Sequence, residues 1–323
     1  MTDRPVGVLV MAYGTATGPD DIERYYTDIR GGRPPAPEHL RELHERYAAI
    51  GNRFGLLDIT RAQADGLVAD LNTDGDGTFR PYLGMKHSPP FIPDTVDEMR
   101  ADGIEHAIGI VMAPHWSGMS VETYVERVSR AAEDGGPGFT FVRSYHDHPA
   151  FITFLAGRVA TAIATLDPAE REGAAFVFSA HSLPVRTLED GSQRCKYCTT
   201  CESSCRYREG LQETADLVAR ELGLPNHTIA WQSAGRTDDP WWGPPLEDVI
   251  AELAAKGHPA VVVCSAGFVA DHLEILYDLD IEAQVIAAQA GIRLVRTEMP
   301  NADPAYVAML AQVVREHLAA PTA

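Results

Sequence analysis

The stretch AAFVFSAHSLP, residues 174–184, decides the architecture of this 323-residue chain. Ala174 to Ser179 is a run of small and apolar residues that reads as a buried strand, and Ser182-Leu183-Pro184 stops it in a tight turn. In an open α/β sheet, ligands bind at the carboxyl ends of parallel strands, because loops and helix starts converge there. His181 stands at such an end. The pattern returns at Ala260 to Ser265, followed by Gly267-Phe268-Val269-Ala270-Asp271-His272-Leu273-Glu274. One imidazole and one carboxylate are thus delivered to the same edge of the same sheet.

Working outward, further strand-like runs are Gly7 to Ala12, Phe79 to Gly84, Ala107 to Ala113, Thr140 to Ser144 and His227 to Gln232. Helical patterns separate them at Ile59 to Leu71, Pro93 to Ala101, Ser120 to Glu133, Pro149 to Leu166, Glu209 to Leu222 and Pro245 to Ala255. Pro19-Asp20-Asp21 opens another helix with acidic residues in its first turn, where the dipole favours them. Strand and helix alternate throughout, so the chain is α/β, built of βαβ units with parallel sheets. A weak internal echo sets Met11-Ala12-Tyr13-Gly14-Thr15 against Ser179-Ala180-His181-Ser182. It predicts two similarly built lobes, residues 1–148 and 149–323, with the boundary near Asp147-His148-Pro149. An amphipathic helix over about 304–318 can pack back on either lobe.

The net charge of −19 comes from 46 acidic against 27 basic residues. Binding a nucleic-acid backbone needs a basic surface, so that class is excluded. No apolar run is long enough to span a membrane, and the N-terminus lacks the basic flank and apolar stretch of a signal peptide. A cytoplasmic location is expected.

Counting four and eight residues on from Glu274 gives Asp278 and Glu282, so three carboxylates stack along one helical face. Exposed, the stripe is an ordinary solvated acidic face. Buried, it is a proton or metal-ion path, with carboxyl pKa values raised by burial and mutual repulsion. Arg30 and Arg33 flank Gly31-Gly32, and Arg46-Tyr47 follows on a helix; arginines so placed either clamp carboxylates or form a solvated basic patch.

Four of the five cysteines read Cys195-x2-Cys198-x2-Cys201-x3-Cys205, inside an insertion at 190–208. Zinc sites usually split their ligands into two distant pairs, whereas one compact run matches an iron–sulfur loop. Arg206 stands where bacterial ferredoxins have proline, and spacing alone leaves the nuclearity open. Cys264, within a strand run, reads as a buried apolar thiol.

MAYGT at 11–15, DIERYYTDIRGGRPP at 21–35, GMKHSPPFI at 84–92, SAHSLP at 179–184, WQSAGRTDDPWWGPP at 231–245, GFVADHLEILYD at 267–278 and EMPN at 298–301 together resemble the bacterial ferrochelatases of the coproporphyrin type, nearly end to end. That resemblance implies two Rossmann-like, chelatase-type lobes enclosing a porphyrin cleft, and insertion of Fe2+ into coproporphyrin III. It implies that His181 binds the metal and accepts protons, with Glu274 as its partner and Asp278 and Glu282 continuing the acidic track. Tyr13 is expected to approach the metal from the opposite porphyrin face. Arg30, Arg46, Tyr47, Lys86, His87 and Tyr124 are expected to hold the macrocycle and its propionates. The cysteine segment resembles that of the members carrying a [2Fe–2S] cluster, and transient contact with neighbouring heme-pathway enzymes follows from the same likeness. Phe54 stands where a propionate-binding serine is expected. Alternatives are a protoporphyrin IX ferrochelatase, a cobalt or nickel chelatase of the same superfold, and a two-lobed iron–sulfur ligand-binding or redox protein. The last lacks a G-x-G-x-x-G dinucleotide loop.

Overall fold

The computed structural model of the protein describes residues 4–73, 78–196, 206–235 and 237–320. The first half begins with β1 (Val6–Ala12), a short helical turn at Pro19–Asp21, α1 (Ile22–Ile29), α2 (Pro37–Ala49) and α3 (Leu56–Leu71). It continues through β2 (Phe79–Met85), α4 (Ile92–Ala101), β3 (His106–Val111), α5 (Val121–Ala132) and β4 (Gly138–Val142). Next come α6 (Pro149–Ala164), α7 (Pro168–Gly173), β5 (Ala175–His181), β6 (Val185–Thr187), β7 (Gln193–Cys195), α8 (Tyr207–Leu222) and β8 (His227–Gln232). The chain ends with α9 (Leu246–Ala255), β9 (Ala260–Cys264), a π-helix (Ile275–Glu282), α10 (Ala283–Ala290), β10 (Arg293–Arg296) and α11 (Pro304–Ala319).

Two parallel four-stranded sheets result, ordered β2-β1-β3-β4 and β10-β9-β5-β8. Read from each sheet's own first strand, both follow the order second, first, third, fourth. The internal echo in the sequence is therefore a repeat of topology. In such a sheet the crevice lies where the strand order reverses, at the end of the first strand. Tyr13 follows β1 and His181 ends β5, so the two occupy equivalent places.

The central strands are apolar on both faces because helices cover both; Val8, Leu9, Val10 and Met11 are fully buried, as are Val177 and Ala180. One hydrophobic cluster runs from Val8, Leu67 and Ile108 through α6 and α11 to Phe176, Phe178 and Leu211, so the two sheets share a core. Within it, α11 packs back on α3 and also on α6. Gln63 of α3 donates from Nε2 to the carbonyls of Val269 (3.1 Å) and Asn301 (2.8 Å), a polar rivet between the halves.

Several elements depart from the sequence reading. Segment 185–195 folds into the antiparallel hairpin β6–β7 ahead of the cysteines. β10 pairs with β9, although its four residues are too few to carry a pattern. The helix expected to open at Asp271 begins later and is mostly π-helix, because Asp271 is engaged in fixing its own loop: its N–H and carboxylate both bond Asn301. Among the described residues no helix is long and apolar enough to cross a membrane.

Candidate active site

The C-terminal wall is built on the turn after β5. Ser182 N donates to Gln232 O (2.8 Å) and Ser182 Oγ to Trp242 O (2.9 Å), which pins the turn and leaves the ring of His181 turned outward. The loop after β9 crosses directly over this strand end, with Gly267 N donating to Ser179 O at 3.0 Å. A Cβ on Gly267 would lie 2.4 Å from Ala180 Cβ, so only glycine permits the crossing. The crossing sets Phe268 beside His181, with ring centroids 6.3 Å apart, and brings Glu274 within reach.

Glu274 lies between two imidazoles, 3.5 Å from His181 Nε2 and 3.4 Å from His272 Nε2. Burial is the largest single influence and disfavours charge on both His181 and Glu274, yet their mutual attraction and the hydrogen bonds around them together outweigh it. Against burial, the charge of Glu274 and the bond to Ser182 O hold His181 up at about 9. The two histidines hold Glu274 well below the usual carboxylate range. At neutral pH this is an imidazolium–carboxylate pair. The Nδ1–H of His181 donates to Ser182 O, so Nε2 is the nitrogen that faces Glu274.

Asp278 behaves in the opposite way. Burial and then the negative charge of Glu274 push its carboxyl up to about 7, despite a bond from Ser233 Oγ (2.5 Å) and Arg46 at 3.8 Å. The expectation of raised carboxyl pKa values therefore holds for Asp278 and fails for Glu274, whose histidine neighbours reverse its sign. Glu282, 47% exposed, is 3.7 Å from Arg46 and closes the row at the surface. Asp278 and Glu282 lie on the π-helix, and such turns are frequent at functional sites.

The N-terminal wall gathers at the ends of β1 and β2. Tyr13 keeps 44% of its surface open and packs against His87 at 4.6 Å, tilted. Burial of its hydroxyl and the charge of Glu274 push its pKa above the ordinary value, which places it within the field of the opposite wall. Gly14, at φ +97°, lets the chain turn under Ser88, whose Oγ accepts from Thr15 N. His87 bonds Asp28 Oδ1 through Nδ1 (2.7 Å), and burial pulls it down to about 4, so the ring is neutral. Lys86 Nζ donates to Thr123 Oγ1 (2.7 Å) and lies over the rings of Tyr124 (5.1 Å) and Tyr13 (5.9 Å). Burial and nearby Arg127 pull its amine down to about 8.

Arg46 connects the walls. It rises from α2, stacks over Tyr277 at 4.6 Å and faces Asp278 and Glu282. Arg30 closes α1 and lies 5.9 Å from the ring centroid of Tyr26; its buried Nε has no hydrogen-bond partner among the described residues. Tyr47 is 1% exposed, with its hydroxyl on Thr15 Oγ1 (3.0 Å) and its ring stacked on Phe54 at 4.6 Å. Phe54 thus offers an apolar face where a hydroxyl was expected, and Tyr47 shapes the floor rather than presenting its own.

Sequence reasoning passed over Arg24, Arg127, Ser233 and His272. Arg127 donates to Lys86 O (2.6 Å) and Arg24 to His87 O (3.4 Å), so each buttresses a named residue through its backbone. Contacts of that kind leave no motif. Ser233 and His272 lie inside quoted motifs, and only the fold shows which acids they touch. Of the four clustered cysteines, Cys195 is buried beside Met119 and Leu183, while Cys198, Cys201 and Cys205 lie outside the described residues.

A ferrochelatase family model matches residues 5–318. The coproporphyrin III ferrochelatase of Anoxybacillus flavithermus is 45% identical, with 98% of each chain covered. That of Bacillus subtilis is 44% identical over 98% of this chain and 99% of its own. Among solved structures, SirB from Bacillus subtilis with Fe3+ superposes with a TM-score of 0.58 at 11% identity, over 97% of this chain and 95% of that one. At that identity the likeness speaks for the fold alone.

Proposed function

The chain belongs to the ferrochelatase family, and we propose that it inserts Fe2+ into coproporphyrin III, giving Fe-coproporphyrin III for heme synthesis. In this reading residues 1–148 and 149–323 are the two lobes that flank the macrocycle. The observation that carries it is the His181–Glu274 pair at the end of β5, with Tyr13 at the equivalent strand end of the other sheet.

The chemistry suits these groups. Insertion strips water from Fe2+ and releases two pyrrole protons. Imidazole and carboxylate suit a borderline metal without trapping it. Because His181 is protonated at neutral pH, Fe2+ reaches Nε2 by displacing a proton. Asp278, poised at about 7, takes that proton and then the two pyrrole protons in turn, passing each along the row towards Glu282 and solvent; His181, already charged, is not the proton acceptor that the sequence reading expected. Tyr13, its hydroxyl kept neutral, covers the far face of the ring, and closing the lobes around a bent macrocycle exposes its nitrogens.

Arg30, Arg46 and Lys86 supply the anion-holding groups, and the unpartnered Nε of Arg30 is a donor in want of a carboxylate. Coproporphyrin III carries four propionates and protoporphyrin IX two, so a cation-rich cleft favours the former. Anaerobic Fe2+ insertion with the two porphyrins side by side tests this; faster turnover of protoporphyrin IX overturns the choice.

The same reading assigns Cys195, Cys198, Cys201 and Cys205 to a [2Fe–2S] cluster, supported by their spacing and by the buried, apolar setting of Cys195. Such a cluster supplies one-electron chemistry, for which a non-redox insertion has no step, so its role is to stabilise the insertion and report on iron or oxidants. Iron and acid-labile sulfide analysis of anaerobically purified protein tests its presence. If Cys198→Ser left both activity and thermal stability unchanged, the stabilising role would be untenable.

A further inference from the structure

Tyr207, the first residue of α8, is remote from the strand-end motifs in sequence yet touches the backbone of His181. Its hydroxyl donates to His181 O at 3.0 Å. The pairing of β5 with β9 stops at Phe178, three residues before this carbonyl, so on that side the strand end is held by other bonds, while the β8 ladder continues to His181–Gln232 on the other. Four of those other bonds converge on one peptide unit and its neighbour. Tyr207 Oη takes His181 O, Ser182 N takes Gln232 O, Ser182 Oγ takes Trp242 O, and Ser182 O receives the Nδ1–H of His181. The first two fix the plane of the His181–Ser182 peptide. The carbonyl of the next unit, Ser182 O, then points back at the imidazole.

The ring of Tyr207 is itself immobilised. It is 7% exposed, packs on Trp231 at 5.4 Å and meets the edge of His115 at 6.3 Å. Trp231 is the β8 partner of Ala180, and His115 Nε2 bonds Thr214 Oγ1 of α8 at 2.9 Å. The hydroxyl is thus aimed by ring packing on two sides, one of them the loop that leaves β3 in the other half of the chain. The bond is also placed where the cysteine insertion joins the site. Tyr207 follows Cys205 by two positions, and Lys196, next to Cys195, donates its N–H to Pro184 O at 2.8 Å.

We propose that Tyr207 is a positioning residue for the chelation step: by holding His181 O it keeps Ser182 O on Nδ1–H and so leaves Nε2 as the atom presented to Fe2+ and Glu274. The proposal rests on the reading of His181 as the metal-binding residue. A fixed ring plane, with Nδ1–H engaged and Nε2 the nitrogen that gives up its proton, matters because a small misplacement of a reacting group is expensive in rate.

Tyr207→Phe in the full chain, purified anaerobically, removes the hydroxyl and keeps the ring packing. Two quantities are compared with the parent protein: steady-state Fe2+ insertion, and the exchange-protected Nδ1–H resonance of His181 in 15N-histidine-labelled protein, assigned by its loss in His181→Gln. The expected result is loss of the protected resonance, with kcat lowered about tenfold and KM for the porphyrin unchanged. A retained resonance overturns the proposal whatever happens to the rate, and marks Tyr207 as a packing residue. A lost resonance with unchanged kcat also overturns the proposal, since the bond then holds His181 without serving chelation, while full insertion activity in His181→Gln would separately refute the reading of His181.

Discussion

At the scale of single residues, the site turns on one sign. Burial alone would leave His181 neutral and raise Glu274; together they hold each other charged. A raised imidazole pKa contributes stability that is fully present below the unfolded value of 6.5 and is lost as pH rises through about 9. A depressed carboxyl pKa contributes stability present above 4.5 and lost as pH falls further. The pair therefore holds best between those limits. Because Fe2+ competes with a proton at Nε2, the apparent KM for iron should fall as pH rises from 7 towards 9, by up to about tenfold per unit. Glu274→Gln removes the charge that raises His181, so this slope should vanish, with kcat reduced about 100-fold or more. Anaerobic initial rates across that pH range decide it; a slope retained in the variant would detach His181 from Glu274. The residue types at the strand ends were legible from the sequence. That His272 shares Glu274 was not, because a two-residue separation says nothing about which loop atoms meet.

At the scale of elements, a glycine and a π-helix set the geometry. Gly267→Ala forces a Cβ against Ala180, in the strand that ends at His181. Overpacking of this kind costs about 1–3 kcal/mol. The variant should lose thermal stability and iron insertion together, while a melting temperature equal to the parent's would show that the crossing has slack. Asp278 gives a second test. Its pKa is raised, so stability from its protonated form is present below 3.8 and lost as pH rises through about 7. Asp278→Asn stays neutral, so the melting temperature of the parent should drop relative to the variant between pH 5 and pH 8; parallel curves would refute the shift. The four-residue spacing of the acids was visible in the sequence. The π-turn was not, since it arises where Ile275, Leu276 and Leu279 bury themselves against the rest of the fold while Asp271 is tied to Asn301. Strand runs such as Ala174 to Ser179 were plain because covered strands must be continuously apolar, whereas β10 and the β6–β7 hairpin are too short for any period to show.

At the scale of the whole molecule, two sheets of one topology place equivalent strand ends on either side of a cleft, and α11 and Gln63 tie the halves. Gln63→Ala strips partners from two carbonyls, Val269 O and Asn301 O, in the loops that carry the site. It should cost about 2 kcal/mol and weaken porphyrin binding, read by calorimetry and fluorescence quenching. Unchanged affinity would mean that the bridge is only structural. The sequence by itself determined the α/β class, the two-lobed repeat, the strand-end histidine and carboxylate, and a family likeness running nearly end to end, because all of these follow from local periodicity and short motifs. The tertiary structure alone decided the charge states of His181, Glu274 and Asp278, the burial of Tyr47 under Phe54, and the grip of Tyr207 on His181. The physical reason is that desolvation, ion pairing and hydrogen bonds to a strand-end carbonyl depend on distances between residues far apart in the chain, which no local pattern encodes.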